Sequence, residues 1–159
     1  PALEGTRPVL VEVQALIVRL QSGATPRRAV VGWDGGRLAM LLAVLEARCG
    51  LSFSSAEVYL NVSGGYRLSD PAANLAVAAA LVSALADRPL PSRSVWFGEI
   101  SLAGEIRPVA HGGLRMREAA KLGFERGYGP CDAGDTPGEL RYEQLARISN
   151  LVDRIVGSE

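Results

Sequence analysis

Apolar and polar residues alternate through PVLVEVQALIVR at 8–19, a run rich in β-branched side chains, and that period of two predicts a strand. A turn-like QSGATP follows, and RRAVVGW at 27–33 reads as a second strand pairing back on the first as a hairpin. Asp34, Gly35 and Gly36 interrupt the pattern. RLAMLLAVLEAR at 37–48 then has helical composition, with Gly50 as a stop just beyond. Residues 57–63, EVYLNVS, form a short apolar strand that ends at Gly64-Gly65. The loop YRLSDP offers Asp70 as an N-cap and Pro71 as a first helical residue, ahead of an alanine-dense helix at 72–86. Beyond the proline-bounded DRPLPSR, the β runs VWFGEIS and EIRPV flank Leu102-Ala103-Gly104 as a hairpin. Gly112-Gly113 leads into the helical LRMREAAKLG, stopped by Gly123, and GFERGYGP reads as a last strand ending in a turn. Leu140, Leu145, Ile148, Leu151, Val152 and Ile155 at helical spacing predict a C-terminal helix over 138–156. No internal repeat breaks this order, so a single mixed α/β domain over 1–159 accounts for the chain.

Composition refines this only in places. A chain of 159 residues can bury a substantial core, and 48% hydrophobic content excludes a disordered segment. No apolar run approaches the ~18 residues of a membrane span, and no basic-apolar-small leader precedes the fold. The first residue is Pro1 rather than Met, so the expectation is a piece of a longer protein. Cys49 and Cys131 have neither CxxC spacing nor nearby histidines; they read as two thiols of a cytosolic protein. Charge balances at 17 basic against 17 acidic residues, yet residues 131–159 hold six acids against three arginines. The first 130 residues therefore carry a basic surplus, too mild by itself to mark a nucleic-acid binder. All the basic residues are arginine except Lys121.

Several chemistries are excluded directly. No GxxxxGK[ST] loop is present, and the paired glycines sit at a strand end and a helix start, where a structural role suffices. His111 is the only histidine, so neither a histidine-based triad nor a multi-histidine metal site can be built. Its plain reading is a solvated loop residue.

Three blocks carry a resemblance. Residues 98–113, GEISLAGEIRPVAHGG, are similar to the Lon-protease stretch GE-x-x-L-x-G-x-x-x-P-V/I-x-x-GG on a β-hairpin. LSDPAANLAVAAALVSAL resembles that family's D-G-P-S-A-G segment and alanine-rich helix. GGLRMREAAKLGFERGYGP resembles its GGL-K-x-K-x-x-A-A-x-x-G run. The resemblance implies a Lon-protease-like proteolytic-domain fold. It also implies a serine nucleophile after Pro71 and a lysine base after Gly112-Gly113-Leu114. Those positions hold Ala72 and Arg115. A methyl group cannot attack a carbonyl, and a guanidinium stays protonated and cannot serve as a base. Ser63 and Ser69 lie near the first position, but Lys121 lies six residues past Arg115, roughly 9 Å along a helix. That distance excludes it as a substitute base, and the chain is expected not to be an enzyme.

Further blocks, including RPVLVEVQALIV, Pro26-Arg27-Arg28 and VGWDGGRLAMLLAVLEARCGL, extend the resemblance to residues 7–130 and to one branch: the Lon-like C-terminal domain of bacterial DNA-repair ATPases. The chain departs from that branch at Asp34-Gly35-Gly36-Arg37, where a histidine or asparagine often precedes the arginine, and matches it weakly after Pro130. The resemblance implies a cytoplasmic protein with a zinc-finger module, a RecA-like ATPase and this domain in series, acting on branched intermediates of recombination. The four-cysteine finger and the ATPase loop are not in this sequence, so ATP, Mg and Zn are expected only on other domains and no cofactor is expected here. It further implies a ring, hexameric in Lon-like domains. Such a ring would hold single-stranded or branched DNA while an attached motor moves along it. Other recombination proteins are implied as partners, and no membrane is.

Phosphate contact calls for arginine and lysine. The candidates are Arg27, Arg28, Arg37, Arg67, Arg115, Arg117 and Lys121. If a strand begins at Arg27-Arg28, alternation puts their side chains on opposite faces, and one of them is then structural. Arg37 sits near a helix start, where the dipole disfavours a cation without a partner. Arg117 and Lys121 share a helix face, and Arg115 points elsewhere. The plain alternative at each position is a solvated charge or a salt-bridge partner, with Glu118 and Glu125 at hand; six-fold repetition would turn a few such arginines into a strong positive ring. Three other readings compete with DNA binding: a pure oligomerisation scaffold, a relic groove beside Ala72 that binds peptide by strand addition, and a cryptic peptidase.

Overall fold

A computed structural model describes residues 2–4, 7–9, 11–20, 27–63, 71–109, 112–130 and 140–156. The first apolar run, 8–19, is divided between β2 (Arg7–Val9), which pairs antiparallel with an unpredicted β1 (Ala2–Glu4), and a separate strand β3 (Glu12–Arg19). Its side chains alternate as the sequence does, with Glu12, Gln14, Leu16 and Val18 outward and Val13, Ala15 and Ile17 packed on the core. After β4 (Arg28–Val31), helix α1 (Gly35–Cys49) crosses to β5 (Ala56–Ser63). The sheet order is β3-β5-β4, with β3 antiparallel and β4 parallel to β5. The expected hairpin between the first two runs does not form. Val58, Leu60 and Val62 make β5 the strand best suited to the centre, and the half-polar β3 and β4 take its two edges.

Helix α1 begins where the sequence pattern broke. The Asp34 carboxylate accepts the backbone N–H of Arg37 at 2.9 Å, and Gly50, at φ 71°, closes the far end with its N–H on Glu46 O. Gly32 is required ahead of this turn: its φ is +80°, and a Cβ there would stand 2.1 Å from Val62 O. Residues 71–73 form one 3-10 turn that runs into α2 (Asn74–Ala86). Helix α2 lies under β3 and also touches the helix at the C-terminal end, placing its alanines and leucines in the main core.

A second sheet has the order β10-β9-β6, formed by β6 (Ser94–Trp96), β9 (Arg126–Gly129) and β10 (Arg141–Gln144), all parallel. Between β6 and β9 come the hairpin β7 (Glu99–Ile100) and β8 (Ile106–Arg107) and the helix α3 (Gly112–Lys121). Val95, Phe97, Met116, Ala119 and Leu140 make a smaller core on this side, which Ala72 joins. The segment 138–156 is not one helix, and β9 is not the last strand. Among the segment's described residues, 140–156, only Ile148–Val156 is helical, as α4. Leu140 belongs to the smaller core and Leu145 to the larger. Five residues reach about 16 Å extended but only about 8 Å as helix, which favours a strand between two separate anchors. Mixed helix and strand with one mixed and one parallel sheet make this an α/β fold, as the sequence predicts.

Candidate nucleic-acid interface

A groove of about 550 Å³ runs between α1 and the β7–β8 hairpin. Arg37 and Met40 line one wall, on consecutive turns of α1, and Arg107 with Leu102 lines the other. The hairpin is held in place by Arg48, whose Nε donates to Leu102 O at 3.3 Å. On β7 and β8, Glu99 and Arg107 are directly opposite in register, so their side chains share a face. Arg37 Nη1 is shut off from solvent and has no hydrogen-bond partner among the described residues. Elsewhere among them, only Trp33 Nε1, just before the α1 cap, is also buried without one. Buried donors of this kind are rare and call for an acceptor.

The candidate cations among the described residues lie on separate elements, β4, α1 and α3. Arg37 enters the groove. Arg28 is spent on the fold: its guanidinium donates to Ala56 O at 2.6 Å and Phe53 O at 2.9 Å, tying β4 to the turn before β5. Arg27 is exposed at the head of β4, where its charge acts on Tyr59. That phenol is raised chiefly by the hydrogen bond it donates to Glu57, with Arg27 opposing. Arg117 and Lys121 are both exposed on α3, as their spacing requires. Arg67 and His111 lie outside the described residues, as do Ser69, Asp70 and Cys131. Arg115 departs from expectation: at 1% exposure it is part of the interior, so its guanidinium does not face solvent where a phosphate could meet it. Arg107 escaped the sequence reading. The signal was the alternation in EIRPV, where an inward Ile106 puts Arg107 outward.

The two positions matched to a serine and a base fall in one neighbourhood. Ala72 has no exposed surface, and it shares the smaller core with Met116, the residue after Arg115. Beside them a second groove, about 490 Å³, has an alanine floor of Ala72, Ala73, Ala76 and Ala80. Among the described residues that line it, Ser94 brings the hydroxyl and Glu12 the carboxylate. Neither histidine nor lysine is among the described residues that line it. Among the described residues no cluster of histidine, cysteine and carboxylate could hold a metal ion, and no helix is long and apolar enough to cross a membrane.

These features define an α/β domain with a cationic, half-apolar groove on one side and an alanine-floored one on another. The chain has homologues named DNA repair protein RadA. It is 56% identical over 98% of its length to that of Brucella abortus, and 50% identical over 95% to that of Rickettsia felis. The protein of that name from Escherichia coli is 52% identical over 80% of the chain. The chain spans about a third of the length of these relatives, 34%, 32% and 28% respectively. No family model matches the chain.

Proposed function

We propose that this chain is the non-catalytic, Lon-like domain of a DNA-repair ATPase, and that it binds DNA and assembles into a ring, with six copies as the expected number. The observation that carries the reading is similarity across 98% of the chain to one third of a protein named for DNA repair. A buried methyl at Ala72 and a buried guanidinium at Arg115 support the absence of peptidase chemistry, because both dyad positions have become packing positions. ATP, Mg and Zn belong to the remainder of such a protein. The groove cations Arg37 and Arg107 support DNA as the partner, with Arg27, Arg117 and Lys121 as exposed cations elsewhere.

Fluorescence anisotropy of labelled single- and double-stranded DNA, titrated at low and moderate salt, tests the reading alongside sedimentation of the same sample. Binding that weakens steeply with salt and weakens further in Arg117→Ala/Lys121→Ala supports it. An oligomeric sample that binds no DNA at low salt leaves a scaffold. Capture of unfolded polypeptide without cleavage would instead favour the alanine-floored groove beside Ala72.

A further inference from the structure

We propose that the groove between α1 and the β7–β8 hairpin receives one unstacked nucleotide of a single DNA strand, an inference that rests on the DNA-binding reading. A surface built only for phosphates needs cations in solvent, as on α3. This groove is different, because its volume of about 550 Å³ lies in the range of small-molecule sites and its walls are partly apolar. Met40 and Leu102, on opposite walls, are 54% and 63% exposed, an unusual outlay of large apolar side chains beside arginines.

The polar groups of the groove suit a base rather than a bare anion. Asn74, Glu99 and Ser101 line it, supplying an amide, a carboxylate and a hydroxyl. A carboxylate repels a phosphate, but it accepts from the N–H groups on a base edge. Arg37 brings a buried donor that lacks an acceptor, and base carbonyls and ring nitrogens are acceptors. Arg107, exposed at the mouth, is placed for the phosphate attached to that base. A stacked duplex cannot fill such a site, because its bases are turned inward, whereas a single strand can splay a base out at little cost. The domain therefore prefers strands with unpaired bases.

The test compares a thymidine 20-mer with a 20-mer of abasic sites, which carries the same number of phosphates. Anisotropy titrations use the chain at one salt concentration. The 20-mer with bases is expected to bind about fivefold or more tightly than the abasic strand, the low end of what one well-placed set of hydrogen bonds to a base edge contributes. Ala103→Trp, on the exposed turn of the hairpin, fills the groove without changing charge and should remove the difference. Arg37→Lys keeps the charge but loses the planar fork, and should reduce it. Equal affinity for the two strands in the wild-type chain overturns the inference while leaving DNA binding intact. Failure to bind either strand removes the DNA reading, and the inference with it.

Discussion

Arg27 and Arg28 are neighbours with the same charge and opposite duties, and the hydrogen bonds decide which is which. Arg28 donates to two carbonyls, Ala56 O and Phe53 O, that flank the entry to β5. Arg27 is joined to β5 by its backbone carbonyl, which accepts from Val58 N. Arg28→Ala should cost about 1–2 kcal/mol of stability, the net value of two charge-assisted bonds at an exposed residue, while Arg27→Ala should change it by less than about 0.5 kcal/mol. Urea denaturation of the two single variants checks this, and equal losses would contradict the assignment. Alternation announces in the sequence that the pair splits between two faces, but not which member is tied to the fold. That depends on which carbonyls β5 presents, and β5 is 28 residues away from Arg28 at Ala56. Arg115 was unreadable for a similar reason. Helical spacing sets it on another face from Arg117 and Lys121, but that this face packs on the smaller core is decided by residues outside GGLRMREAAK.

The elements whose periodicity agrees with their neighbours were legible. Helices α1, α2 and α3, strand β5 and the β7–β8 hairpin fall within a few residues of their sequence patterns. The errors lie where pairing across the chain overrides local pattern: β4 joins β5 instead of β3, and β10 joins β9 instead of extending α4. Contact between α1 and α4 has a chemical consequence at Cys49, the last residue of α1. Burial raises that thiol, and the carboxylate of Asp153 on α4 raises it further. In a Cys131→Ser background at pH 8, a thiol reagent should label Cys49 more slowly than a free cysteine. Asp153→Asn should speed labelling by lowering the thiol again. The sign carries over to stability. The folded thiol sits above its unfolded value, so its contribution is intact below that value and is lost as pH rises through the folded one. Alkaline destabilisation should therefore be milder in Asp153→Asn. Identical labelling rates in the two chains would mean that α4 does not hold Asp153 near the end of α1.

For the molecule as a whole, the question is how many copies of the groove meet one strand, and salt can count them. Each phosphate neutralised on a single strand adds about −0.7 to the slope of log affinity against log salt. Arg107 is exposed at the mouth of the groove on a short hairpin, so Arg107→Ala removes a cation without emptying the core. Measured on the abasic strand, where no base contributes, its slope should be shallower by about 0.7 if a single subunit engages the strand. A ring that threads one strand past several subunits multiplies the change by the number of grooves engaged. Titration below and above the concentration at which sedimentation reports assembly should thus give a small step in the first case and a larger one in the second. A step that stays near 0.7 in the assembled sample would mean that the copies bind DNA independently, and assembly would then serve something other than strand holding. An unchanged slope at both concentrations would remove Arg107 from the phosphate path and leave the exposed pair on α3, Arg117 and Lys121, as the cations to test next.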